Sequence, residues 1–586
     1  MSHDSSRRFF VRGVAATAGA ASTLGLAACG GDDEVAASPA PAPAPVAVAP
    51  APAPSPVSDV EFRHGVASGD PLADRVIIWT RATPGTPRSL DLRWDLASDA
   101  AFATIVRTGT LTTTAEMDYT AKVDVTGLNA ATTYYYRFAI GTGAAARTSP
   151  TGRTKTLPTG TVSRVKLAVF SCANYPAGYF NVYGEAAKIA DLDATIHLGD
   201  YIYEYNSTGY ASTNAVAFGR VSDPTNEIIT VADYRKRYAQ YRGDVDLQAL
   251  HAAAPMIVVW DDHEIANNTF VSGAENHTEG AEGTFVARKA AAVKAWAEWM
   301  PVRLPDAAKP DQIYRSFNFG NLLSLHMLDT RLIGRSKQLD YPNFVTPTGL
   351  NAPAFTAAMG DTTRTLLGTT QQAWLQQQMT ASTATWQVLG QQVLMGRMNI
   401  PAPLVTMQVT LAQYTAIVTK AQTAPATLTA AEQAILAQPA IPYNLDAWDG
   451  YTPSREVLLG TAKALNKNLI SLAGDTHNAW ANDLADLGDA AIGVEFGTPS
   501  VSSPGFEGVF PNENPQVLAG SLAQLIGPLY WTDTAQRGFL TLTATPTEAR
   551  ADWTFVSTVN SRNYNVTTGR SLKTLPGAAG RKIIEV

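Results

Sequence analysis

From Glu61 to about Pro158 the apolar residues come in short alternating runs separated by turns, at Val76-Ile77-Ile78-Trp79-Thr80-Arg81, Leu90-Asp91-Leu92-Arg93-Trp94 and Tyr119 to Val125. A period of two in runs this short predicts strands, and their spacing predicts a small all-β sandwich. Beyond Leu157-Pro158-Thr159-Gly160 the texture changes. Apolar runs at Val165 to Phe170, Ala194 to Leu198, Met256 to Trp260 and Leu469 to Ala473 alternate with longer helical stretches, which predicts a layered α/β core. Ala281 to Met300 reads as a helix, as do Gln371 to Met379 and Leu411 to Gln438. The last is bounded by Pro401 and Pro442 and reads as an insertion, either a surface decoration or a lid. Each of the four core strands runs into a polar cluster. Ligands collect at strand carboxyl ends in layered α/β folds, so the four clusters are expected to meet in space.

The chain of 586 residues, 45% of them hydrophobic, exceeds what one core usually holds. Its net charge of −7 leaves no basic footprint, which disfavours nucleic-acid binding. Ser6-Arg7-Arg8-Phe9-Phe10-Val11-Arg12, followed by an Ala/Gly/Leu stretch, is a twin-arginine export pattern. That stretch ends in Leu26-Ala27-Ala28-Cys29, a lipobox pattern that makes Cys29 a lipidation site and the lipid a membrane anchor; the alternative is ordinary cleavage and a soluble exported product. The location expected is therefore the periplasm or the cell surface. An acidic patch and the Pro/Ala repeats of Ala37 to Pro56 favour extended polyproline geometry, a stalk or a plain linker. No other run reaches the roughly 18 apolar residues of a membrane span. The expected organisation is signal at 1–29, linker at 30–58, β-sandwich at 59–158 and a catalytic domain at 159–586, in a monomer.

The polar clusters carry the candidate chemistry. Phe170-Ser171-Cys172-Ala173-Asn174 places one of only two cysteines directly after a strand. Cys172 is either an inert buried thiol or a thiolate ligand that coordination would protect from oxidation. In His197-Leu198-Gly199-Asp200-Tyr201-Ile202-Tyr203, Asp200 offers two oxygens that could bridge two metals, Tyr203 a phenolate suited to Fe(III), and Gly199 a sharp turn. In Val259-Trp260-Asp261-Asp262-His263-Glu264 two adjacent carboxylates repel unless a cation compensates them. His263 is placed there to donate a proton to a leaving oxygen, with Glu264 orienting its other nitrogen. Leu472-Ala473-Gly474-Asp475-Thr476-His477 puts a carboxylate and an imidazole two residues apart, on one side of an extended segment.

Three resemblances follow. Val125-Thr126-Gly127-Leu128 with Thr133-Tyr134-Tyr135-Tyr136-Arg137-Phe138 looks like the tyrosine corner of fibronectin type III domains. The ordered series Gly199-Asp200-Tyr201-Ile202-Tyr203, Asp262-His263-Glu264 and Gly474-Asp475-Thr476-His477 resembles the motifs of calcineurin-like and purple acid phosphatases. Cys172, Tyr175-Pro176-Ala177-Gly178-Tyr179, Leu328-Asp329-Thr330-Arg331, Asp446-Ala447-Trp448-Asp449-Gly450-Tyr451 and Phe496 to Pro499 narrow the resemblance to the PhoD-like alkaline phosphatases, over roughly Glu61 to the C-terminus. This resemblance implies a four-layer α/β/β/α phosphoesterase core, an Fe(III) held by Cys172, Asp200 and Tyr203 with Asp475 or His477 completing the shell, and two calcium ions at Asp200, Asp262 and Asp261. It gives His263 the proton-handling position. The purple acid phosphatase pattern has Asn at Asp262 and His at Asp475, and it has a Val-x-x-His absent here. Those carboxylates shift preference from zinc or another divalent metal toward calcium.

The reaction implied is metal-assisted hydrolysis of phosphate esters by an activated hydroxide, releasing inorganic phosphate. Arg331, Asn174 and Asn268 are candidate phosphate contacts, or equally a surface ion pair, a turn residue and a cap. A phosphodiesterase or phospholipase D-type enzyme with the same site, and a non-catalytic surface binding lipoprotein, are the alternatives.

Overall fold

The computed structural model of the protein describes residues 57–143, 146–346 and 349–586. The twin-arginine segment, Cys29 and the Pro/Ala stretch of Ala37 to Pro56 lie outside the described residues. Among the described residues, no helix is long and apolar enough to cross a membrane.

Two large sheets carry the molecule, one of ten strands and one of seven. In the first, strands Val165–Phe170, Ala194–His197 and Met256–Val258 lie side by side and parallel. In the second, Leu323–Met327, Trp386–Gly390, Asn468–Ala473 and Ala491–Gly497 are likewise parallel neighbours. One core joins the facing sheets: Leu167, Val169 and Ile196 pack in the same cluster as Leu325, Val388, Ile470 and Val494. Strands buried on both faces need near-continuous apolar runs, which is why Met256–Val258 is apolar throughout and Val165–Phe170 nearly so. Helices Gly368–Ala381 and Thr452–Ala464 cover the outer face of the seven-stranded sheet through Leu375, Met379, Leu458 and Leu459. Helices Val231–Arg242 and Phe285–Trp299 cover the other sheet through Tyr234, Tyr238, Trp296 and Trp299. The result is four layers, α/β/β/α.

The N-terminal β region is a sandwich with its own core of Val76, Ile78, Leu92, Leu96, Tyr136 and Phe138. Its tyrosine corner is present: the Tyr134 hydroxyl accepts from the Asn129 backbone N–H at 3.0 Å. One sheet of the sandwich does not close on itself. Strands Val66–Gly69, Arg75–Arg81 and Thr120–Thr126 continue the ten-stranded core sheet, because Val66–Gly69 pairs in parallel with Met256–Val258 at Gly69↔Met256. A Cβ on Gly69 would meet the Pro301 carbonyl at 2.2 Å, so a side chain there would pry the sandwich off the core.

Two expected helices differ. Ala281 to Met300 begins only at Phe285, where Thr284 caps the helix by accepting from the Ala287 N–H and Gly283 sits at positive φ. Leu411 to Gln438 is two helices, Leu411–Thr423 and Ala430–Leu436, because Pro425 lacks the N–H a continuing helix needs. The paired strands Asn399–Pro401 and Ala440–Pro442 pinch the base of this insertion.

Candidate active site

All four polar clusters meet at the carboxyl ends of the parallel strands, where the two sheets abut. Gln392, just past the end of Trp386–Gly390, stitches the sheets together: its side-chain amide donates from Nε2 to the Trp260 carbonyl at 2.7 Å and the Leu328 carbonyl at 2.9 Å. The turns that present the side chains are unusual. Cys172, Asp200, Asp475 and His477 all have φ between 54° and 67°. Left-handed geometry at a residue with a Cβ costs about 1 kcal/mol or more each, a cost that persists only where surrounding packing imposes it. Gly199 permits the closest approach, since a Cβ there would lie 2.3 Å from the Asp261 nitrogen.

Three overlapping groups of ligand atoms result, each group lying within 4.8 Å of itself: Cys172, Asp200 and His477; Asp200, Asp262 and His263; and Asp261, Asp262 and Asp475. Asp200 is shared by the first two and Asp262 by the last two. Tyr203 joins the first group, its hydroxyl donating to Asp200 Oδ2 at 2.9 Å and lying 3.1 Å from His477 Nε2. The other nitrogen of His477 faces the Pro504 carbonyl at 2.8 Å and the Tyr210 hydroxyl at 3.2 Å, which directs Nε2 inward. Ser503 donates to the Tyr203 oxygen at 2.7 Å.

Burial dominates the electrostatics. It raises the Cys172 thiol, the Tyr203 phenol and the Asp200 and Asp475 carboxyls well above their ordinary ranges, reinforced by neighbouring anions. Asp261 is pushed up to about 6 by burial, against the pull of Arg331. Asp262 goes the other way: burial is outweighed by Arg331, His263 and the Asn268 N–H, which donates to Oδ2 at 2.6 Å. Burial would lower His263, but Asp262, Glu204 and Asp200 hold its pKa well above the ordinary value.

Several expected roles are reassigned. Glu264 does not orient His263; its carboxylate accepts the backbone N–H groups of Asp200 at 3.0 Å, Tyr201 at 2.6 Å and Asp261 at 2.8 Å, clamping two site loops together. The orienting carboxylate is Glu204, whose Oε2 is 2.7 Å from His263 Nδ1 and whose Oε1 accepts from the Asn267 N–H and the Asn276 amide. Its only signal in sequence was its place directly after Tyr203. Asp475 and His477 do not share one face of an extended segment: both sit in left-handed turns and serve different groups. Arg331 is wholly buried, bonded to Asp261, to Asp446 at 2.8 Å and to Asp475 at 3.3 Å, so it neutralises carboxylates. The Asn268 side chain donates to Glu275 at 2.8 Å, and Asn174 donates to the Tyr210 carbonyl at 3.4 Å while its buried Oδ1 has no hydrogen-bond partner. Asp446, bonded also to Arg335, is an acidic neighbour for which the sequence offered no role.

Comparison with known proteins places the chain in a family. Residues 167–553 match the model of the PhoD-like phosphatases, and residues 47–158 match the PhoD-like phosphatase N-terminal domain. The chain is 33% identical over 582 residues to the protein named alkaline phosphatase D of Bacillus subtilis (strain 168), covering 96% of this chain and 87% of that protein. A solved structure of PhoD superposes with a TM-score of 0.74 at 33% identity, covering 92% of this chain and 93% of the other.

Proposed function

Since the chain belongs to the PhoD-like phosphatase family, and is thereby a phosphoric ester hydrolase of the alkaline phosphatase D kind, we propose that it works as an exported enzyme on cations that Asp200, Asp262 and their neighbours would hold, with His263 left free of metal. The observation that carries this is the sharing of those two carboxylates among three ligand groups.

The residues present fit metal ions. Asp200 Oδ1 and Asp261 Oδ2 are buried polar atoms without a hydrogen-bond partner, and four carboxylates, Asp200, Asp261, Asp262 and Asp475, converge with Arg331 and His263 as their cationic company. A thiolate, a phenolate, a carboxylate and an imidazole from Cys172, Tyr203, Asp200 and His477 would suit Fe(III), and the oxygen-only group of Asp261, Asp262 and Asp475 would suit calcium. Bound there, such ions supply Lewis-acid polarisation of phosphoryl oxygens and an acidified water.

His263 carries the proton for the leaving oxygen. Glu204 takes up Nδ1, which leaves Nε2 to face substrate, and the Tyr203 ring stacks on the imidazole at 4.3 Å to fix its plane. The twin-arginine segment at Ser6 to Arg12 and the lipobox ending at Cys29 support export and anchoring of the enzyme. Diester hydrolysis is a second reading of the same site, since cations serve either ester.

Elemental analysis and a visible spectrum of the purified protein, beside rates on p-nitrophenyl phosphate, bis-p-nitrophenyl phosphate and a phospholipid, test this. Iron and calcium with a tyrosinate charge-transfer band are expected; an active protein free of both metals would refute it.

A further inference from the structure

The carboxylate that orients His263 is itself held, and by a loop that supplies none of the grouped ligands. Glu204 Oε1 accepts from the Asn267 backbone N–H and from the Asn276 side-chain amide, each at 2.8 Å, while Oε2 faces His263 Nδ1 at 2.7 Å. Asn267 belongs to the loop that carries His263. Asn276 belongs to another, residues 271–283, which leads into helix Phe285–Trp299.

One buried guanidinium ties the two loops together. Arg288, in the first turn of that helix and 1% exposed, donates from Nη1 to the Asn276 carbonyl at 2.7 Å and from Nε to the Tyr234 hydroxyl at 3.3 Å. Tyr234 in turn donates to the carbonyl of Ile265, two residues past His263, at 2.5 Å. Arg288 finds its carboxylate partners elsewhere, in Glu227 at 2.7 Å and Glu282 at 3.3 Å. A planar guanidinium can grip several acceptors in fixed directions at once, which an ammonium cannot. The arrangement bears on the imidazole through Glu204. A single donor on Oε1 leaves that carboxylate able to turn, whereas a second donor from a different loop fixes its plane and so the direction of Oε2.

We propose that Asn276, with Arg288 behind it, is a positioning residue for proton transfer: it fixes the Glu204 carboxylate so that His263 stays aimed at the leaving oxygen. The inference rests on the proton role given to His263 above and deepens it by assigning the residues that set its angle. Both act through Glu204 rather than on the reacting atoms.

The test compares kcat on an alkyl phosphate and on p-nitrophenyl phosphate in the full-length, metal-loaded enzyme. Asn276→Ala should lower kcat about tenfold on the alkyl ester and less than about twofold on p-nitrophenyl phosphate, with metal content unchanged. In a Glu204→Gln background the same substitution should lower it no further, because its effect passes through that carboxylate. Asn276→Asp, which keeps the size and loses the donor, should show at least the same selective loss, and it decides if the alanine variant fails to fold. Equal losses on the two esters, a wild-type rate on the alkyl ester, or a loss that multiplies in full with that of Glu204→Gln overturns the assignment. Failure of the underlying proton role shows differently, as equal losses on both esters in His263→Ala.

Discussion

Nδ1 of His263 lies 2.7 Å from Oε2 of Glu204, a carboxylate that is wholly buried and contributed by the loop that also carries Asp200 and Tyr203. The pairing holds the imidazole proton and its plane, while burial, which would raise Glu204, is outweighed by the charge of His263, so its pKa is lowered. Glu204→Gln should keep its metals and lose turnover most on esters with poor leaving groups, by about 10² in kcat for alkyl phosphates and much less for p-nitrophenyl phosphate. His263→Ala should show the same signature more strongly. Equal losses on both esters would remove the pair from proton transfer.

Cys172 and Asp200 meet His477 in the first ligand group. Cys172→Ala and Asp200→Ala should remain folded, lose iron together with the visible band, and lose phosphatase activity. Wild-type iron content in both variants contradicts the assignment.

Arg331 has no exposure and touches four carboxylates, those of Asp261, Asp262, Asp446 and Asp475. Removing one partner of a buried charge network leaves the others uncompensated. Arg331→Met should therefore lower stability by about 3–5 kcal/mol in denaturant titrations. Added calcium should recover part of that loss. A change within experimental error would mean the carboxylates are balanced without the guanidinium.

Burial lowers the imidazoles of His64 and His197 from 6.5 to about 3, so both are neutral in the folded protein. The unfolded chain then binds more protons than the folded one between about pH 3 and 6.5, and stability falls as pH drops through that window. Each unit below 6.5 costs about 1.4 kcal/mol per histidine. Unfolding free energies of the wild type and His64→Gln, measured at pH 7.5 and 5.0, should converge as pH falls. Parallel curves would place the acid sensitivity elsewhere.

The strands were legible because burial on both faces leaves an unbroken apolar run, as at Val165–Phe170 and Met256–Val258. Chemistry was legible where residue types are costly without a purpose, as in Asp261-Asp262-His263. Helix ends were less so: one proline and one threonine cap moved them, and caps act through local geometry that a periodicity does not report.

By itself the sequence determined the layered α/β core, the β region before it, and the loops on which Cys172, Asp200, His263 and His477 stand, because these depend on local pattern and residue chemistry. Only the tertiary structure decided which carboxylate serves which partner. Glu204 rather than Glu264 faces His263, Arg331 is spent on carboxylates, and the sandwich sheet runs on into the core through Gly69. The physical reason is that the strand-end loops, left-handed at Cys172, Asp200, Asp475 and His477, bring together side chains 59 to 300 positions apart, and such pairings follow from packing that no local window of sequence contains.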